Sequence, residues 1–286
     1  MTWYTFLPLA VMLVLSAVLG RIPLPLHPSW SARLLATTAA TTTVTALGTG
    51  VFVSINYAAA PFAPEWTLFA SDRPIPDAAG VPAVLLTIAG LLITGRTAVH
   101  WMSELRTAQA QTGAPLDTDV PIAVAVPGRR GGVLLSRGML SAFTSDELHV
   151  VLQHETSHLR HRHHRYTASG ALLAATLPPL RPLNTRLRLA VERWADEDTA
   201  EAVNDRTLVA RTIAKAALAH SPPAETTPAF ADSGVVQRVE ALLTTPPGRN
   251  AVTGPLLCMG NGFITGSLTA TTLQLDQALL PLLALL

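Results

Sequence analysis

At 286 residues the chain has room for one or two packed domains. Apolar residues make up 49% of it, charged residues only 14%, and the mean hydropathy is +0.36. A soluble chain carries roughly a quarter charged residues, so this composition points to a membrane protein. The formal net charge of +1 lacks the basic excess expected of a nucleic-acid binder. The single cysteine, Cys258, excludes an intrachain disulfide and a cysteine-built zinc site, which leaves histidine and carboxylate as metal donors.

Residues 1–20 contain no charge and no basic stretch of the kind that opens a signal peptide, which predicts a membrane helix. A second span is expected over about 34–57, rich in Ala, Thr and Gly as helix pairs in lipid often are. A third fits between Asp77 and Arg96. Arg21 and Arg33 flank the first connection, Arg73 stands alone in the second, and Arg96 and Arg106 follow the third span. This balance places the first connection and everything beyond about residue 96 on the cytoplasmic side of a cell membrane. The organisation expected is a membrane region over 1–100 with three spans and a second domain over 101–250. An apolar segment over 251–286 follows, able to form a fourth span. Residues 167–180, apolar and ending in Pro178 and Pro179, are short for a span and suit a re-entrant or core hairpin.

The richest stretch is 149-HVVLQHETSHLRHRHHRY-166, with six of the nine histidines. Thr144-Ser145-Asp146-Glu147 reads as a capping box, so a helix is predicted over about 145–163. On that helix His154 and His158 stand at i and i+4, project from one face and can share a zinc ion. Glu155 between them is placed to take a proton from a water activated by that ion.

Catalytic zinc takes a third protein ligand. In 190-AVERWADEDTAEAV-203, Glu192 and Asp196 also stand at i and i+4. Glu192 is expected as the third ligand and Asp196 as the group that hydrogen-bonds a ligand imidazole and fixes its tautomer. Glu197, Asp198 and Glu201 read as a solvated acidic face.

The segments 133-VLLSRGMLSAFTSDELHVVLQHETSH-158, 192-ERWAD-196 and 233-SGVVQRVEALL-243 together resemble membrane-embedded gluzincin metallopeptidases. The nearest resemblance is to the peptidase domain of BlaR/MecR-type antirepressors, with CAAX prenyl proteases and HtpX-type heat-shock proteases more distant. It covers about residues 121–245. It implies a mainly α, multi-span helical membrane protein with a zincin-like (gluzincin) α+β peptidase domain bearing a small β-sheet. It further implies strands over 121–126 and 132–136, the edge strand pairing with an extended substrate. It assigns one zinc ion to His154, His158 and Glu192, and Asp196 to their support. The chain departs from the antirepressor sensors in having no S-x-x-K sequence, so direct β-lactam sensing is not expected. The residue stabilising the transition state is not identified by the resemblance; Arg238, His220 and Tyr166 are the candidates.

His149 points about 140° around the helix from His154 and is not expected on the metal. His161 would lie too far along the axis. His163 and His164, beside Arg160, Arg162 and Arg165, suit a membrane-surface boundary. His27 and His100 read as loop and helix-end residues. The function expected is an integral-membrane zinc endopeptidase acting on a protein or peptide substrate, such as a repressor. The alternative is a non-enzymatic, histidine-rich metal-binding or transport protein, although the predicted spans carry none of the ionisable ligands a transporter needs.

Overall fold

The computed structural model describes residues 6–59, 77–110, 116–128, 131–220, 233–250 and 252–261. Helix α1 (Leu7–Leu19) and α2 (Pro28–Ala59) are followed by α3 (Asp77–Ala110). Two of these, over Pro28–Ala58 and Gly80–Thr107, are long and apolar enough to cross a membrane. Helix α1 is apolar but, at 13 residues, shorter than a bilayer core requires, and residues 1–5 lie outside the described residues. Of the three predicted spans, two therefore meet the length criterion. Leu85, Leu86, Ile88, Leu91 and Leu92 of α3 face outward, as lipid-facing side chains would.

The threonines between Thr37 and Thr43 sit on an apolar helix because their hydroxyls find backbone partners. Thr38 donates to Leu34 O at 2.8 Å and Thr42 to Thr38 O at 2.7 Å, while Thr42 also meets Ser16 of α1 at 2.8 Å. A buried hydroxyl so paired carries little desolvation cost.

Strands β1 (Ala123–Val126) and β2 (Gly132–Leu135) form a two-stranded antiparallel sheet, with Ala123 opposite Leu135 and Val126 opposite Gly132. Ser136 ends β2 and caps α4 (Arg137–Ala142) by accepting from Met139 N, while its hydroxyl also donates to Val120 O. Helix α5 (Ser145–Arg160) begins with the capping box anticipated in the sequence, Thr144 and Glu147 each serving the other's backbone.

The continuous helix predicted to residue 163 is interrupted. Helix α5 stops at Arg160, Arg162 takes a left-handed conformation with φ of 55°, and α6 (His163–Thr176) starts in a new direction. A left-handed residue cannot continue a right-handed helix, so the chain turns there. Helix α6, a 3-10 turn (Pro178–Leu180) and α7 (Arg181–Val203) form a helical hairpin, which is what the apolar 167–180 segment becomes. Gly170 permits its close packing, because a Cβ there would lie 2.4 Å from Asn184 Oδ1. Helix α8 (Arg206–His220) and α9 (Ser233–Leu243) complete the domain. Beyond it, residues 253–261 are helical, and residues 262–286, where a fourth span was anticipated, lie outside the described residues.

The main core joins the two halves of the molecule. Ala32, Leu35 and Ala39 of α2 pack with Leu183, Leu187, Val191 and Trp194 of α7. The helix that carries Glu192 and Asp196 is thus seated directly on a candidate membrane helix.

Candidate metal centre

Helix α5 presents His154 and His158 toward α7, where Glu192 faces them. His154 Nε2 lies 3.1 Å from His158 Nε2 and 3.5 Å from Glu192 Oε2, and His158 Nε2 lies 3.6 Å from Glu192 Oε1. Among the described residues these three form the one cluster with metal-ligand spacing, their donor atoms all within 4.8 Å of one another. Zinc bonds of about 2.0–2.1 Å in a tetrahedron place ligand atoms roughly 3.3–3.4 Å apart, so the donor set fits such an ion.

The surrounding charges favour a cation. Burial alone would push the His154 imidazole down, but hydrogen-bonding and charge contacts with Asp196 and Glu192 overcome this and raise it to about 10. Burial, then the neighbouring His154 charge, lowers His158 to about 4. Burial would raise Glu192, yet His154 and Arg238 hold its carboxyl well below the usual range. The two neighbouring imidazoles thus behave oppositely because only His154 touches carboxylates on both of its ring nitrogens.

Asp196 is 2% exposed and lies 3.1 Å from His154 Nδ1, a close ion-pair contact although Nδ1 makes no well-aligned hydrogen bond. Arg238 of α9 grips Asp196 with both arms, Nε to Oδ2 at 2.7 Å and Nη2 to Oδ1 at 2.8 Å, and reaches Glu192 Oε2 through Nη1 at 3.1 Å. One guanidinium thereby fixes both Glu192 and Asp196. Tyr166 packs instead against Trp194 and His163, with ring centroids at 5.9 and 6.3 Å, and does not line the cavity described below.

The second imidazole has a partner that sequence reasoning missed. His163, read above as a membrane-surface residue, is 1% exposed, and its Nδ1 sits 2.9 Å from His158 Nδ1. Trp194 covers its ring at a centroid distance of 4.7 Å. The left-handed turn at Arg162 folds His163 back beneath the ligand helix. Nothing in the string HRHHR announces such a turn, since neither Gly nor Asn occurs in it.

Two acidic residues expected on a solvated face are also corrected. Glu197 is 8% exposed and pairs with Arg206 through two contacts at 2.6 and 3.0 Å. Asp198 accepts from Ser157 Oγ at 2.8 Å and meets His161 Nε2 at 2.7 Å, tying the end of α5 to α7. Both are drawn inward because α7 is packed by α2, α5, α8 and α9 together. Glu201 does lie at the surface, paired with Arg249. His149 is exposed, His100 pairs with Glu104 at 3.1 Å, and His27 bonds Ser29 at 2.8 Å; His164 stacks near Trp101 at 6.4 Å.

Glu155 points toward β1. Burial raises its carboxyl to about 7, against the opposing effects of the His154 charge and a hydrogen bond from the Ala125 amide. Ser136 N donates to Ile122 O, so the antiparallel alternation turns the N–H and C=O groups of Ala123 and Ala125 to the outer edge of β1. Beside that edge opens a cavity of about 260 Å³. His154, Glu155 and Glu192 border it, and Val150, Val209 and Ile213 supply apolar wall.

This arrangement can hold a divalent cation next to a half-buried carboxylate of near-neutral affinity for protons and the outer edge of β1. Residues 116–180 match the model of peptidase family M48. The matched segment carries the sheet and His154, Glu155 and His158, and ends before Glu192. It supports a zinc metallopeptidase and does not single out the BlaR/MecR-type branch. No curated protein and no solved structure matches the chain.

Proposed function

We propose that the chain is an integral-membrane zinc endopeptidase that cleaves peptide bonds of a protein substrate, with its peptidase domain on the cytoplasmic side. The observation that carries this reading is the near-tetrahedral spacing of His154, His158 and Glu192 beside the half-buried Glu155. His154, His158 and Glu192 would hold the ion, whose Lewis acidity would polarise the scissile carbonyl and acidify water.

The chain's own groups divide the remaining work. Glu155 takes the proton of the attacking water and delivers it to the departing amine, a task suited to a carboxyl whose proton affinity lies near neutral pH. Asp196 and His163 hold the His154 and His158 rings from behind, and Arg238 fixes Glu192 and Asp196. The outer edge of β1 receives an extended stretch of substrate as an added strand. Next to it the 260 Å³ cavity accepts an apolar side chain of the substrate. The outward apolar face of α3 and the length of α2 support residence in a lipid bilayer.

The test is Glu155→Gln in the full chain. Zinc content should stay stoichiometric, while cleavage of a mixed peptide library, read by mass spectrometry, falls on the order of 10²–10⁴-fold. Cleavage at the wild-type rate by that variant would remove Glu155 from the mechanism.

A further inference from the structure

Helices α7 and α9 have a second face in common, turned away from the metal cluster. Residue 193 follows Glu192 and residue 237 precedes Arg238, so each helix offers one side chain to either side. The far side opens into a cavity of about 360 Å³. Its walls are Arg186 and Arg193 of α7, Gln237 and Glu240 of α9, and Pro23 and Ser31 from the α1–α2 connection and the start of α2.

The two arginines stand seven residues apart, hence on one face of α7, and both are half-buried. Arg160, Arg206, Arg238 and Arg249 all sit against carboxylates. Neither Arg186 nor Arg193 has an ion-pair partner among the described residues. The Nε of Arg193 is fully buried and has no hydrogen-bond partner among the described residues. A buried guanidinium N–H left without an acceptor is costly, and such groups in folded proteins are nearly always satisfied. Glu240, the one carboxylate on the wall, is exposed on the rim and forms no ion pair with them. The cavity is therefore roomy and of mixed lining, with Leu24 and Leu189 beside two arginines that no carboxylate among the described residues pairs. Two guanidinium groups lining one cavity supply the positive charge and the planar N–H donors that a phosphate group accepts.

We propose that this cavity is a phosphate-binding site, with Arg186 and Arg193 as its anion-holding residues. The ligand would bridge the α1–α2 connection to α7 and α9. Two sources of that group are open to the site. One is the headgroup of an anionic phospholipid, which the position of the cavity beside the ends of α1 and α2 favours if those helices lie in a bilayer. The other is a soluble phosphate. Occupancy is independent of the peptidase reading, because it is measured without catalysis.

The experiment titrates the full-length, detergent-solubilised chain with three probes: inorganic phosphate, short-chain phosphatidylglycerol and short-chain phosphatidylcholine. Binding is read by calorimetry and by native mass spectrometry. Saturable binding of phosphate or phosphatidylglycerol is expected, weakened on the order of tenfold by Arg186→Gln and by Arg193→Gln. Glu240→Gln, which only removes rim charge, should strengthen binding a few-fold. Phosphatidylglycerol bound in preference to both other probes assigns the site to lipid; phosphate bound as well as the lipid assigns it to a soluble ligand. The proposal is overturned if neither phosphate nor phosphatidylglycerol saturates. It is overturned equally if phosphatidylcholine binds as well as phosphatidylglycerol, or if the arginine variants bind like wild type.

Discussion

Helix α7 carries opposite chemistries on its two sides. Toward α5, Glu192 and Asp196 are buried or half-buried among His154, His158 and Arg238, and each charge meets a partner of opposite sign. Toward the α1–α2 connection, Arg186 and Arg193 are half-buried with no such partner among the described residues. The first side is a network of paired charges; the second presents two guanidinium groups that no carboxylate among the described residues pairs. Burial of charge alone therefore does not mark a functional site. What marks it is the sign and kind of group that the surrounding residues leave unsatisfied.

The sharpest way to break this contrast is Arg238→Met. It would leave the Asp196 carboxylate, 2% exposed, without its two strongest contacts. Removing one member of a buried pair costs about 3–5 kcal/mol, so a large fall in the thermal or denaturant midpoint in detergent is expected. An unchanged midpoint would mean that the network does not depend on its cation.

Asp196→Asn keeps the shape but weakens the support of His154. Zinc affinity, measured by chelator competition, should fall about 10–100-fold, and His163→Leu should act in the same direction through His158. A loss with one variant and not the other would show which imidazole depends on its rear contact.

Protons should compete with zinc. His154 holds its proton up to about 10, so every ion bound displaces it. Zinc affinity is therefore expected to rise with pH across the neutral range and to fall as the solution is acidified. A flat profile from pH 6 to 8 would contradict the protonated state of His154.

The smallest effect belongs to the other face. Arg193→Gln, without added phosphate or lipid, should not lower stability, since it breaks no ion pair among the described residues and removes a buried N–H that has no acceptor there. A loss comparable to that of Arg238→Met would erase the difference between the two sides.

Much of the candidate site was legible because local periodicity governs it. The i, i+4 spacing of His154 with His158 and of Glu192 with Asp196 needs only a helix to put each pair on one face, and Thr144 and Glu147 announce where the first helix starts. The small sheet followed its expected segments to within about two residues at each end. Less legible were residues whose environment depends on distant segments. Glu197 and Asp198 look like surface charges until α8 brings Arg206 and α5 brings Ser157 and His161.

The sequence by itself determined a membrane-leaning composition, a helix bearing two imidazoles and a carboxylate, and a second helix able to supply the third donor. Only the tertiary structure decided how those helices meet. It broke the ligand helix at Arg162 and set His163 behind His158, because one left-handed residue redirects a whole helix. It also made Arg238 the clamp on Glu192 and Asp196 and set Arg193 in the wall of a second cavity. Helical spacing is a property of neighbours in the chain, whereas the sign of the charge that meets a buried side chain is a property of the packing.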